Sequence, residues 1–83
     1  MATKLFVGSL AWATRDETLM DHFTTIGPVL SARVVIDKMT GRSKGFGFVE
    51  YENDTDAQTA VDKLNGSELD GRKITVQESR PRE

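Results

Sequence analysis

Lys44-Gly45-Phe46-Gly47-Phe48-Val49-Glu50-Tyr51 decides how this 83-residue chain folds. In an extended strand successive side chains alternate, so Phe46 and Phe48 share one face while Val49 and Tyr51 share the other. One of these faces must meet the core. The stretch therefore poses the question of why the opposite face also carries large rings.

Working outward, Lys38-Met39-Thr40-Gly41-Arg42-Ser43 reads as a polar turn, and the β-branched run 29–37 before it predicts an antiparallel partner strand. Alternation puts Leu30, Ala32, Val34 and Ile36 on its core face and leaves Ser31, Arg33 and Val35 on the other. After residue 51, Asn53 or Asp54 can cap a helix with the stripe Ala57, Ala60, Val61 and Leu64, ended by Asn65-Gly66. Asp70-Gly71 signals a tight turn, and 73–77 alternates as a final strand with Ile74 and Val76 inward. Toward the N-terminus, 4–10 alternates with Leu5 and Val7 on one face and Lys4 and Phe6 on the other. Thr14-Arg15-Asp16-Glu17 has the pattern of a capping box, opening a helix whose buried stripe is Leu19, Phe23 and Ile26. Gly27-Pro28 is the expected left-handed cap and stop.

The order strand, helix, strand, strand, helix, strand is the split βαβ arrangement of an α+β, ferredoxin-like sandwich: a four-stranded antiparallel sheet with two helices on one face. Two helices cover one face only. Phe6, Phe46 and Phe48 fall by parity on the uncovered one, and an exposed aromatic cluster of this kind marks a binding surface. Gly45 and Gly47 are expected to keep bulk low on the opposite face, where a helix approaches.

Composition narrows the chemistry. The chain has no cysteine, which removes disulfides and thiolate chemistry and fits a reducing compartment, and its single histidine, His22, cannot assemble a histidine metal site. The apolar run after the N-terminus is too short for a signal peptide or membrane span, so an intracellular, cytoplasmic, soluble and monomeric protein is expected, with no cofactor, membrane or small-molecule substrate. Residues 3–79 read as one domain and 80–83 as a short flexible tail. The net charge of −2 is unevenly shared. The two helical segments carry Arg15 and Lys63 against Asp16, Glu17, Asp21, Asp54, Asp56 and Asp62, so the remainder is net basic, with Lys38, Arg42 and Lys44 close together. Rings displayed beside Lys44 and Arg33 suit unpaired bases, whose flat faces a duplex would hide. His22 reads as a solvated helix residue and Trp12 as packing at the core edge. Gly45-Phe46-Gly47 does not open a dinucleotide fingerprint, because Glu50 stands where the third glycine belongs and a strand continues where a helix should begin.

Residues 44–51 fit every defined position of the eight-residue signature of RNA recognition motif (RRM) domains. Leu5-Phe6-Val7-Gly8-Ser9-Leu10 resembles the six-residue motif of their first strand. Nearly the whole chain is similar to this family, and within it to small single-RRM bacterial proteins and plant glycine-rich RNA-binding proteins. The resemblance implies that Phe6 and Phe48 stack on two successive bases, that Phe46 wedges against sugars, and that Lys44 pairs with a phosphate. It further implies base contacts from Lys73, Thr75, Gln77 and Ser79. Lys4, Arg33 and Arg80 complete the expected single-stranded RNA site, which could also accept single-stranded DNA. Ser9 replaces a frequent asparagine, and Gln77 and Ser79 stand where asparagine and alanine are common.

Two other classes share this topology. A protein-interaction module would have no need of three exposed rings. An acylphosphatase-like enzyme requires an anion-cradling loop with arginine after the first strand, whereas Ser9-Leu10-Ala11-Trp12-Ala13 contains no basic residue. The reading is a non-enzymatic RNA-binding module serving RNA chaperoning or post-transcriptional control.

Overall fold

The computed structural model describes residues 3–79. In chain order the elements are β1 (Thr3–Gly8), α1 (Asp16–Thr24), β2 (Val29–Ile36), β3 (Ser43–Tyr51), α2 (Asp54–Leu64), β4 (Glu68–Leu69), β5 (Arg72–Lys73) and β6 (Thr75–Ser79). The main sheet runs β2-β3-β1-β6, all antiparallel, with the motif-bearing strands β1 and β3 at its centre. The two helices lie on one face, giving the expected α+β, ferredoxin-like architecture. Between them and the sheet, Leu5, Val7, Val49, Tyr51 and Val76 meet Leu19, Phe23, Ala57 and Ala60, all buried. This is the face that alternation assigned to the core.

The Tyr51 hydroxyl, buried at the centre, donates to the Phe23 carbonyl at 2.5 Å and ties β3 to the last turn of α1. Burial, reinforced by the negative charge of Asp56, raises its pKa far above the usual phenol value, so it remains a donor.

Several local expectations are corrected. Of the four inward positions assigned to β2, only Ala32 and Val34 are buried, and Leu30 and Ile36 are exposed. Val29 pairs with Tyr51 and Ser31 with Glu50, so Leu30 is an extra residue that flips the alternation and lets Val29 pack on the core instead. At the other end Val34 pairs with Gly47 but Ile36 with Ser43, the excess falling in β3 where Gly45 takes φ 88°. Bulges at both ends of an edge strand also discourage pairing with another chain.

The expected capping box does not form. Arg15 holds the cap position without a side-chain bond, and buried Thr14 donates instead to Asp70 Oδ2 at 2.7 Å, fastening the loop before α1 to the turn before β5. Asp16 Oδ1 accepts from the Val34 amide at 2.7 Å and satisfies an edge-strand donor. Nor is Gly27 left-handed: the helix stops at Thr24, Thr25 is still right-handed, and a Cβ on Gly27 would meet the Asp56 carboxylate. A Cβ on Gly47 would fall 2.2 Å from the Arg33 carbonyl oxygen, so it is the neighbouring strand, and not a helix, that requires this glycine.

The Asp70-Gly71 turn is present, both residues having positive φ, and it closes the short β4–β5 hairpin that alternation alone did not separate from the last strand. The expected tail, 80–83, lies outside the described residues.

His22 is half-buried rather than solvated. Its Nε2 lies 3.0 Å from Ser67 Oγ, and because that hydroxyl donates to the Leu64 carbonyl, Nε2 must carry the proton. Desolvation lowers the His22 pKa, with the charge of Asp70 opposing in part. A histidine with a lower pKa folded than unfolded binds fewer protons in the native state, so stability is full above the unfolded value of 6.5 and falls as pH drops through the folded value. Denaturant unfolding between neutral and mildly acidic pH should therefore show an acid-side loss that is smaller in His22→Gln; identical pH profiles for the two proteins would contradict this assignment.

Candidate nucleic-acid interface

The register of the central strands builds the open face. Phe6 pairs with Phe48, Phe48 with Arg33 and Phe6 with Gln77, so one straight row, Arg33–Phe48–Phe6–Gln77, crosses β2, β3, β1 and β6. Directly opposed residues in a sheet point to the same side, and this row is the side away from the helices. The next row is Phe46–Gly8–Thr75, and the one on the other side is Ser31–Glu50–Lys4–Ser79.

The three rings form one cluster. Phe6 and Phe46 lie 5.7 Å apart between centroids with planes tilted by 30°, Phe6 and Phe48 5.8 Å apart at 69°, and Phe46 and Phe48 6.3 Å apart at 88°. Each is partly exposed, unlike the fully buried Val49 and Tyr51 of the same strand. One stacked and two edge contacts hold the rings in place while each stays partly exposed, so much of the cost of ordering them is met before any ligand arrives. The Lys4 ammonium stands 5.5 Å from the centroid of the Phe48 ring, a cation–π contact that places positive charge beside the ring cluster. Glu50 shares that face beside Lys4, an acidic neighbour that sequence reasoning did not weigh.

The structure thus brings Lys4, Phe6, Arg33, Phe46, Phe48, Thr75, Gln77 and Ser79 onto one surface. Lys44 is exposed next to the Gly45 bulge, where strict alternation ends. Lys73 does not belong to the last strand of the main sheet. It lies in β5, opposite Glu68, because the Asp70-Gly71 hairpin takes it into the second sheet before the chain enters β6. Arg80 lies outside the described residues. Ser9 ends β1 at φ 60°, a left-handed conformation that asparagine tolerates more readily than serine, which gives the substitution noted in the sequence a backbone meaning.

One aromatic was misread. Trp12 does not pack at the core edge; it is 75% exposed, with the Arg42 guanidinium 5.8 Å from its ring centroid. The signal available in sequence was its position in a short loop just beyond a strand whose end carries the platform.

This sheet, with its row of rings on the helix-free side, is the arrangement of an RNA-recognition domain. The RNA recognition motif family model matches residues 5–75, and the chain belongs to that family. It is 47% identical over 76 residues to the mitochondrial glycine-rich RNA-binding protein 2 of Arabidopsis thaliana, a match covering 92% of this chain and 48% of the relative. The chain spans about half the length of the curated relatives it matches. Among solved structures it resembles RNA binding protein PG1, with TM-score 0.90, 43% identity and 98% of each chain covered. It also resembles the Rna15 RRM with bound RNA (GU), with TM-score 0.83, 31% identity, and 94% and 83% of the two chains covered.

If the open-face rings are kept for a ligand rather than for the fold, truncating them must cost little stability. Phe48→Ala should lower unfolding free energy by about 1 kcal/mol or less, the value of cross-strand pairing. Leu5→Ala, one position from the ring opposite, should cost about 2–5 kcal/mol through the cavity it leaves. Chemical denaturation measures both, and equal losses would contradict the division of the two faces.

Proposed function

We propose that this chain binds single-stranded RNA across the open face of its sheet, holding about three to four nucleotides. The observation that carries the reading is the row Arg33–Phe48–Phe6–Gln77, which offers two stacking rings flanked by a cation on one side and an amide on the other. Phe6 and Phe48 take successive bases and Phe46 meets the sugar between them. Lys4, Arg33 and Lys44 approach phosphates. Thr75, Gln77 and Ser79 meet base edges, and Lys73 and Arg80 are proposed as contacts from either end of β6. Base faces and phosphates are common to RNA and DNA, so single-stranded DNA is proposed as a second ligand.

Residues 3–79 constitute the binding unit, acting as a monomer. No helix among the described residues is long and apolar enough to cross a membrane. The cytoplasm is the proposed compartment, on the strength of the cysteine-free composition, and the mitochondrial relative makes an organelle the natural second choice. The cellular role proposed is RNA chaperoning or post-transcriptional control.

Stacking contributes about 1–3 kcal/mol per base, against the cost of ordering a flexible strand, so micromolar affinity is expected. Phe46→Ala combined with Phe48→Ala should weaken binding to short RNA by about tenfold or more. With about three phosphates neutralised, log affinity should fall against log salt with a slope of roughly −2. Fluorescence anisotropy with a labelled randomised RNA pool reads both quantities. Undiminished RNA binding by the double variant would refute the platform as the binding site.

A further inference from the structure

Asn65-Gly66, where α2 gives way to β4, is a junction outside the open face. Both residues are exposed, and a Cβ on Gly66 would meet nothing within 4 Å, so no neighbour shields this peptide from water. An asparagine before glycine is chemically labile, because the unhindered amide nitrogen of the glycine can reach the side-chain carbonyl carbon. Here both reacting groups are held by the far edge of the sheet. The Gly66 amide donates to the Ile74 carbonyl at 2.7 Å, and Asn65 Oδ1 accepts from the Val76 amide at 3.0 Å. β6 is an edge strand, so without Asn65 the Val76 donor has no partner in the sheet. Asp16 Oδ1 serves the Val34 amide in the same way on the opposite edge strand, β2. Asn65 thus closes one border of the sheet with a group that its own neighbour can attack.

We propose that Asn65 is a deamidation site latched by its bonds to the β6 edge: it reacts when the latch opens, and its isoaspartate product cannot close the latch again. In the reaction the Gly66 amide nitrogen attacks Asn65 Cγ. The new C–N bond closes a succinimide ring, and the side-chain nitrogen leaves as ammonia, taking the proton that the amide gives up. Water then opens the ring at either carbonyl and yields aspartate or isoaspartate. The attack needs the amide proton released from Ile74 and the side chain swung away from Val76, so both bonds must break first. Local opening of the α2–β4 junction therefore sets the rate. The two products differ in consequence. Aspartate keeps the chain length and an oxygen where Oδ1 stood. Isoaspartate carries the main chain through Cβ and Cγ, lengthens the junction by a carbon and leaves its carboxylate on Cα, out of place for the Val76 amide. That donor is then freed between Thr75 and Gln77 on the edge of the sheet.

Asn53, the other asparagine of the chain, precedes Asp54 rather than glycine and serves as the internal reference. The full chain is incubated in mildly alkaline buffer with and without denaturing urea, and peptide mass spectrometry follows the exchange of side-chain nitrogen for oxygen at each asparagine. In urea Asn65 should react well ahead of Asn53, and in the folded protein at least about tenfold more slowly than in urea. The isoaspartate form is then separated by chromatography and refolded, and its Val76 amide exchange is compared with that of wild type and Asn65→Asp. The isoaspartate form should lose about tenfold or more in Val76 protection, whereas Asn65→Asp, whose carboxylate still accepts from that amide, should keep it. Failure of the isoaspartate form to refold where Asn65→Asp folds supports the latch equally. Equal rates at Asn65 with and without urea, a faster reaction at Asn53, or wild-type protection of Val76 in the isoaspartate form overturns the proposal.

Discussion

The antiparallel register that sets Phe6 opposite Phe48 and Leu5 opposite Val49 governs both faces of the molecule at once. Because side chains alternate, a slip of one residue of β1 against β3 would send Leu5 and Val7 to water and drive Phe6 toward the helices, breaking the ring cluster. The core therefore enforces the binding surface. Every apolar contact that α1 and α2 make with Leu5, Val7, Val49 and Tyr51 also holds the three phenyl groups outward, and among the described residues no second layer covers them. A surface that would be an aggregation liability in isolation is fixed as a preordered platform by the same burial that folds the chain.

Charge follows the same division. The overall net charge of −2 is a poor guide to partners, because acidic residues gather on the helices while Lys4, Arg33 and Lys44 lie at or beside the sheet. Glu50 beside Lys4 tempers the local potential. In the proposed mode of binding such a surface depends on stacking more than on counterion release, and discrimination between bases is proposed to fall to polar side chains such as Thr75, Gln77 and Ser79. The Ser9 turn, the Gly45 bulge and the Leu10–Gly45 bond then hold the adjoining loops against the platform's Phe46 edge.

Much of this was legible in the sequence, for identifiable reasons. Alternation in 44–51 and 4–8 specified which side chains are buried, because strand period is a geometric constant and the centre of the sheet is regular. It failed where the strands are irregular. Leu30 followed the period in sequence, but a bulge, which leaves no mark in hydropathy, moved it outward, while Ile36 keeps the side of Val34 and is exposed at the end of β2. Lys73 was assigned to the last strand because Asp70-Gly71 marks the turn but nothing in residue type marks the break at Ile74 that separates β5 from β6. Thr14 had the right spacing for a capping box, yet it bonds to Asp70, a partner 56 residues away that local pattern cannot reveal. Trp12 was assigned to the core edge from its place in the connection before α1, a position that does not by itself separate a packed ring from the exposed one observed.

The most direct test of the central claim is a solution structure of the protein with a short single-stranded RNA, in which nuclear Overhauser contacts between base protons and ring protons are measured. The account predicts contacts from two neighbouring bases to Phe6 and Phe48, with the Leu5 and Val49 side chains unperturbed beneath them. Contacts confined to α1 and α2, with the phenyl resonances unmoved, would contradict it.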